Sequence, residues 1–359
     1  MASLCLESRP LGASAVDGAA HPTHRVRATV LAVVVLAALT TELVWAAPYI
    51  GRGLEAIGNA NLYWIGLAVA AEISSMMSFA RLQRVMLRAG GVDVPIRHAA
   101  ATAFAGNALS VTLPGGSVLS AAYTSRRFWT RGASAPLIGF AFTATAALST
   151  AALAVLAGVG GTLSGDTSRT LFSAAEIAAA VGLLLGFVLL MRRPDRVRRL
   201  LARALRLVHR DAAAAERIAG ELSAIRPGLP VWLRAFAFAL LNWSADLCCL
   251  LAAAHAVGID PSLQTVVLAY TAAMAAASSI PLLPGGLGVV EAAAVLVLTG
   301  GGVLVAAATA AVLVYRLISF GAVALIGWAV VLFQRRLLRR APARSDAEFD
   351  SDAVVLDTA

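Results

Sequence analysis

The chain has 359 residues, of which 59% are hydrophobic and 14% charged; its mean hydropathy is +0.80 and its formal net charge +9. A soluble domain of this composition would need a mostly apolar surface, so we predict an all-α polytopic membrane protein. The positive charge is explained by arginines beside membrane spans, and no nucleic-acid partner is expected. The absence of lysine and the abundance of alanine are typical of a GC-rich bacterial genome. Three cysteines fit neither a disulfide framework nor a metal site.

The N-terminal region is predicted to be a cytoplasmic tail, residues 1–27, followed by a membrane span. The apolar run from Ala28 to Ala47 is longer than the roughly 7–15 residues of a signal peptide's apolar core. We therefore interpret it as a retained first span.

Further along the chain, apolar stretches are long enough to cross a membrane, which takes about 20 helical residues. The six predicted spans are 28–48, 62–80, 134–157, 171–191, 231–256 and 303–333. Two more apolar segments, 98–125 and 263–299, are each interrupted by Pro-Gly-Gly. We predict that these two segments are re-entrant hairpins.

The interruption is the same four-residue motif in both hairpins. Leu113-Pro114-Gly115-Gly116 is repeated 170 residues later as Leu283-Pro284-Gly285-Gly286. Proline removes a backbone donor and glycine adds freedom, so a helix must stop or turn here. Backbone released from helical bonding cannot face lipid and must lie against protein or a wet cavity. Two broken segments at matching places in two halves indicate a transporter-type binding site.

The arginines predict how the two halves are oriented. With both hairpins entering and leaving by one side, 26 of the 29 arginines fall on a single face, which must be the cytoplasm. Both termini are then cytoplasmic, in a bacterial plasma membrane. The unit of 62–157 recurs as 231–333 with opposite orientation, so we predict an inverted-topology repeat whose hairpins open to opposite sides. This symmetry favours transport over a static scaffold.

Two further segments complete the predicted domain, which spans 28–335. The linker 192–230 contains a basic amphipathic stretch, 195–226, which is expected to lie on anionic inner-leaflet lipids rather than to be a solvated connection. The tail 336–359 becomes acidic and is expected to be disordered.

Charged residues inside the second half are the strongest candidates for function. Glu291 lies shortly after the second break, where it either serves the site or caps free amides of the half-helix. Arg316 lies within the last span, where it either binds phosphate or pairs with Glu291 or Asp246. The half-helices expected to start at Ser117 and Leu287 present free N–H groups that suit an anion such as a lipid phosphate. Ser117 is equally suited to be an N-cap.

Two intramembrane acids, Glu72 and Asp246, are candidates for ion or proton coupling, or for one half of a helix–helix ion pair. Asn107 and Tyr123 flank the first break and either bind a headgroup or join helices. The complete set of candidate substrate-binding residues is Glu291, Arg316, Pro284, Gly285, Gly286, Pro114, Gly115, Gly116, Ser117, Asn107 and Tyr123. No metal or cofactor is expected, because no nucleotide, zinc or nucleophile motif occurs.

The second-half motif also carries a family resemblance. Leu283 to Glu291 reads LPGGLGVVE, and Tyr315 to Phe320 reads YRLISF. These residues resemble the flippase-like membrane domain of lysylphosphatidylglycerol synthases, over roughly 28–335. The resemblance implies movement of a phospholipid to the outer leaflet. The separate soluble domain that makes the lysyl lipid has no counterpart in 336–359, so lysyl-lipid synthesis is not expected.

The first-half motif departs from the family. Members commonly carry an acidic residue soon after the first turn, whereas Ser117-Val118-Leu119-Ser120 follow here. The leading hypothesis is a lipid translocase or lipid-binding permease for a phospholipid or polyprenyl-linked lipid, without ATP hydrolysis. The alternative is a non-transporting partner or scaffold for a separately encoded lipid-modifying enzyme or glycosyltransferase. A membrane-embedded enzyme is a third reading, and we predict that the protein is not an enzyme.

Overall fold

The computed structural model describes residues 60–113, 115–162, 167–191, 212–279 and 284–340, with four isolated positions (58, 193, 196 and 199). These residues form helices and no strand. The first half contains α1 (Leu62–Ala89), α2 (Ile96–Thr112), α3 (Gly116–Trp129), α4 (Ala135–Thr162) and α5 (Thr167–Met191). The second contains α6 (Ala212–Ala224), α7 (Leu229–Ala256), α8 (Leu263–Ser279), α9 (Val289–Gly300), α10 (Val305–Arg316) and α11 (Val323–Arg340).

Four predicted spans coincide with helices that are long and apolar enough to cross a membrane. These are Leu62–Ala89, Ala135–Thr162, Leu229–Ala256 and Val305–Gln334. The predicted span 171–191 falls in α5, whose apolar stretch is shorter, Ile177–Leu190. The predicted span 28–48 lies outside the described residues. The described chain is therefore a multi-pass helical membrane protein.

The two halves repeat one another in helix order and length. Helices α1 and α7 both have 28 residues, and α2 and α8 both have 17. In both pairs the second helix begins 167 residues after the first. Burial follows the same interval, since Ala68 and Ala235 are both inaccessible, as are Met86 and Ala253. The internal repeat predicted from the sequence is thus visible in the helices.

The equivalent helices α1 and α7 pack against each other in opposite directions. Asn61, before α1, donates its backbone N–H to the carbonyl of Ala256, at the end of α7 (2.9 Å). Near the middle of both helices, the Ser75 hydroxyl donates to Asn242 Oδ1 (3.3 Å). Ser75 and Asn242 are themselves 167 residues apart, so a pseudo-two-fold axis passes between them. Antiparallel equivalent helices are what an inverted repeat requires.

The hydrophobic core consists of two clusters, and each of them contains residues from both halves of the chain. One cluster is built mainly by α1 to α4 and receives Trp232 and Ala235 from the start of α7. The other is built mainly by α7 to α10 and receives Ala68 from the start of α1. Each half therefore completes the other's core, which makes the interface between the repeats part of the fold.

Each repeat contains a pair of short helices joined by a break, and in each pair the helices fold back on one another. Helix α2 packs on α3, and α8 packs on α9. In the first pair the helices approach closely at Gly106, where a Cβ would lie 3.0 Å from Thr124 Oγ1. These two units, α2–α3 and α8–α9, are called the first and second hairpin below.

A short turn between α1 and α2 is stabilised by an ion pair. Arg88 donates two hydrogen bonds to the Asp93 carboxylate, from Nε at 2.7 Å and from Nη2 at 2.8 Å. The Arg88 side chain thereby holds the pKa of Asp93 below its usual range. This contact is present at neutral pH and is lost as the pH falls through that lowered pKa.

Two predicted boundaries differ from the structure or lie beyond it. The stretch 200–211 of the basic linker is outside the described residues, but α6 packs against α4 and Leu222 contacts the first core cluster. This part of the linker therefore lies on protein. Helix α11 continues to Arg340, so residues 336–340 extend the helix instead of beginning the predicted disordered tail.

Candidate functional site

The second break lies between α8 and α9. Its described part contains a 3-10 turn, Pro284–Gly286, in which Gly285 has φ +57. Helix α9 begins at Val289, two residues later than the predicted start at Leu287. The turn also packs against α2 of the first hairpin. The second break therefore lies at the contact between the two hairpins.

Glu291 closes the start of α9. Its Oε2 accepts the backbone N–H of Gly288 at 2.6 Å, and its Oε1 accepts from Arg316 Nε at 2.6 Å. The side chains of Glu291 and Arg316 are only 12% and 13% exposed. The acid thus caps the half-helix and pairs with the buried arginine, so the amide of Gly288 is occupied by the protein's own carboxylate.

Arg316 connects the last span to the break. Its Nη2 donates to the carbonyl of Gly285 at 2.7 Å, and its guanidinium lies 4.9 Å from the ring centroid of Phe320. Phe320 belongs to a π-helical segment, Leu317–Ala322, that starts directly after Arg316. Arg316 donates a hydrogen bond to a carbonyl that has lost its helical partner at the break, and this bond helps to stabilise a charged side chain inside the protein.

Gly285 should not accept a side chain. A Cβ at this position would contact the Phe320 ring, and its positive φ disfavours L-residues. The left-handed conformation alone costs an L-residue about 1–2 kcal/mol, and we expect Gly285→Ala to lower the free energy of unfolding by more than this, because the added Cβ also displaces Phe320 from Arg316. Unfolding followed by tryptophan fluorescence in detergent measures this loss. Gly115→Ala is the matched control, because its backbone conformation (φ 66, ψ 20) resembles that of Gly285 (φ 57, ψ 12) but nothing lies within 4 Å of an added Cβ. An equal loss in both variants would contradict the proposed role of Phe320.

The first break has a different electrostatic character. Gly115 adopts the left-handed conformation (φ 66) and precedes α3, which has no side-chain cap. Ser117 is exposed and lies inside the helix, so it is not the N-cap that the sequence allowed. Helix α3 has no acid in its first turn, in contrast to Glu291 in α9. Pro114, like Leu283, lies outside the described residues.

Asn107 and Tyr123 join helices. Asn107 Nδ2 lies 3.4 Å from the Met76 sulfur, which links α2 to α1. The Tyr123 hydroxyl donates to Gln334 Oε1 at 2.7 Å, which links α3 to α11. These contacts agree with the interpretation that both side chains join helices; their binding of a headgroup stays a prediction.

A second polar cluster lies between the repeats, at Glu72 and Asp246. Pairing of Ser75 with Asn242 in antiparallel helices places Glu72 beside Asp246, and the Tyr270 hydroxyl donates to Asp246 Oδ2 at 2.8 Å. Glu72 is 5% exposed. The two acids are not equivalent in the repeat, because the partner of Glu72 at the 167-residue interval is Ala239. They meet because antiparallel packing places them on facing sides of α1 and α7.

The sequence pattern assigned no role to Tyr270 or Gln334, and it marked Tyr315 and Phe320 only as part of the YRLISF motif. In the structure Tyr270 bonds Asp246, and Tyr315 lies near the same acid. A tyrosine within an apolar helix is a usable indication of a polar contact, since its hydroxyl needs a partner when it is buried. In the described residues, no group of three or more His, Cys, Asp or Glu could hold a metal ion.

These features define a class: a multi-pass helical membrane protein with an internal repeat and a broken-helix hairpin in each half. The family profile described as the lysylphosphatidylglycerol synthase TM region matches residues 26–327. The chain belongs to this family. No curated protein matches the chain.

Proposed function

We propose that the protein moves a phospholipid or polyprenyl-linked lipid between membrane leaflets without ATP hydrolysis. The observation that carries the proposal is the meeting of two broken-helix hairpins, one from each repeat, where the turn Pro284–Gly286 packs on α2. Broken helices at matching places in two repeats are the usual location of a transport site. Membership of the lysylphosphatidylglycerol synthase TM family supports a role with membrane lipids.

The arrangement of the repeats supplies a means of alternating access. Equivalent helices α1 and α7 run antiparallel about an axis at Ser75 and Asn242. Each half can therefore adopt the conformation of the other, which would exchange an inward-open state for an outward-open one. In this proposal the first hairpin opens to the cytoplasm and the second to the outside, both as re-entrant segments. In this proposal both termini lie in the cytoplasm of a bacterial cell and the domain lies in its plasma membrane, which the arginine distribution supports.

The polar path for a lipid headgroup runs over the two breaks while the acyl chains stay in the bilayer. On the second hairpin it uses Pro284, Gly285, Gly286, Glu291 and Arg316. Because Arg316 already bonds Glu291 and the Gly285 carbonyl, a phosphate would have to replace one of these bonds. On the first hairpin it uses Pro114, Gly115, Gly116 and Ser117, with Asn107 and Tyr123 supporting the helices. The proposal needs no cofactor and no enzymatic step.

Lipid scrambling in proteoliposomes tests the function directly. Purified protein is reconstituted with fluorescent phospholipids, and a membrane-impermeant quencher is added outside. Empty liposomes lose the half of the signal in the outer leaflet, whereas we expect the wild-type protein to expose the remainder. Glu291→Gln should slow this phase by at least about tenfold, since a hydrogen bond to a charged group contributes about 1.5–3 kcal/mol.

The matched control is Glu221→Gln, which replaces an exposed glutamate on α6. It should scramble lipid like the wild type. No quenching beyond that of empty liposomes, with phospholipid and polyprenyl-linked probes alike, would overturn the proposal. Such a result would favour a scaffold for a lipid-modifying enzyme.

A further inference from the structure

Glu72 and Asp246 lie beside the pseudo-two-fold axis, at the middle of the long helices. Glu72 is three residues before Ser75, and Asp246 is four residues after Asn242. At about 1.5 Å per residue, both are about one helical turn from the axis. The carboxyl pair therefore joins the two repeats where they must move past each other.

Each acid has an oxygen that the described structure leaves without a hydrogen-bond donor. These oxygens are Glu72 Oε2 and Asp246 Oδ1, and both are buried. The other Asp246 oxygen is already bonded by Tyr270. Buried polar atoms are almost always paired, so the two oxygens need a partner.

One proton satisfies both oxygens. Pairing of Ser75 with Asn242 in antiparallel helices brings the two carboxyls side by side, and a hydrogen bond between two carboxyls exists only if one of them carries the hydrogen. Two adjacent carboxylates in a low-dielectric interior would repel strongly. We propose that Glu72 and Asp246 form a proton-binding site between the repeats, in which the two carboxyls share one proton.

The groups around the carboxyl pair favour a proton over a metal cation as the ligand. Tyr270 of α8 donates its hydroxyl to Asp246, and Tyr315 and Arg316 of α10 and Cys249 of α7 lie close to the pair. Two hydroxyl donors and an arginine supply hydrogen bonds and positive charge, whereas a metal ion needs more acceptor ligands.

The pair breaks the symmetry of the repeat. The positions equivalent to Asp246 and Glu72 are Phe79 and Ala239, which pack in or against the first core cluster. If the halves exchange conformations, the surroundings of the two positions exchange as well. The carboxyl pair would then leave Tyr270 and Tyr315, meet water, and release its proton to that side.

The binding of the proton depends on the geometry alone, whereas its use to drive lipid movement rests on the proposed function. In each cycle one proton would bind from one aqueous side and leave as hydronium to the other, and no bond other than the carboxyl O–H forms or breaks. The proton gradient across the membrane is the energy source.

Infrared spectroscopy of the full-length protein in lipid at neutral pH tests the site without any transport. A protonated carboxylic acid has a C=O stretch that a carboxylate lacks. We expect this band in the wild type and in Glu221→Gln, and its loss in both Glu72→Gln and Asp246→Asn. A wild-type protein without the band, or a band that survives both replacements, would overturn the inference.

Lipid movement under an imposed pH gradient separates this inference from the proposed function. We expect the gradient to accelerate the wild type and Glu221→Gln but neither Glu72→Gln nor Asp246→Asn. A rate of lipid movement that is independent of the pH gradient, or that rises with a sodium gradient instead, would overturn proton coupling. Either result would leave the translocase proposal intact. The infrared band without any lipid movement would uphold the proton site and overturn the translocase.

Discussion

Replacing Arg316 by alanine should lower the free energy of unfolding by about 3–5 kcal/mol, the usual cost of removing one partner of a buried ion pair. The variant leaves the Glu291 carboxylate at 12% exposure without its countercharge, and the Gly285 carbonyl without its donor. The free energy can be measured by titrating mixed micelles with sodium dodecyl sulfate. This is the largest single-residue effect that we expect.

A double variant tests whether Glu291 and Arg316 stabilise the protein as an ion pair or as independent side chains. Glu291→Gln combined with Arg316→Gln removes both charges together and keeps polar groups at both positions. Its loss of stability should be clearly smaller than the sum of the two single losses, because neither charge is left alone. Additive losses would show that the two side chains stabilise the protein independently, contrary to the 2.6 Å contact.

Gly327→Val should lower the free energy of unfolding by about 3 kcal/mol, the upper part of the range for overpacked sites. A Cβ on Gly327 would run into the carbonyl of Phe104 and the Ala108 side chain on α2. The obstacle is backbone, so α2 and α11 would have to separate. Small residues allow such close approach of helices in membranes. Unfolding by the same detergent titration measures the loss.

The separation should also disturb a neighbouring contact, in which Trp328 Nε1 donates to Thr112 Oγ1 at 3.1 Å. The emission of Trp328 would change in Gly327→Val if the helices move apart. Gly139→Val on α4 is the matched control, since Gly139 is exposed and nothing lies within 4 Å of a Cβ at that position. Equal stability of Gly327→Val and the control would mean that α2 and α11 do not pack closely here.

Much of the architecture could be predicted because it depends on local patterns. Long apolar runs gave the four helices that can cross a membrane, and the repeated Leu-Pro-Gly-Gly located both breaks. Gly115 and Gly285 do take the left-handed conformation that such a turn needs. The 170-residue spacing between the two Leu-Pro-Gly-Gly motifs already indicated two equivalent halves.

The contacts inside the site could be predicted only in outline. Pairing of Glu291 with Arg316 was one of several options, because the sequence does not say which face of a long helix turns towards a break. The two acids Glu72 and Asp246 were predicted either to couple ions or protons or to join helices as part of an ion pair. Their position next to each other across antiparallel helices is revealed only by the three-dimensional register. Tyr270 and Tyr315 complete that cluster from two further helices, and the sequence pattern indicated neither contact.

The π-helical segment Leu317–Ala322 has a consequence for how this chain tolerates changes in its length. A π turn closes over one more residue than an α turn, so the segment stores a single extra residue within an otherwise α-helical span. Removal of one residue there would let the α-helix run through while Arg316 and Gly327 keep their faces. A deletion in the α-helical turns before Arg316 would instead rotate Arg316 by about 100° relative to the start of the helix, because an α-helix has 3.6 residues per turn. A one-residue deletion in the π-helical segment should therefore do less harm than one in α10.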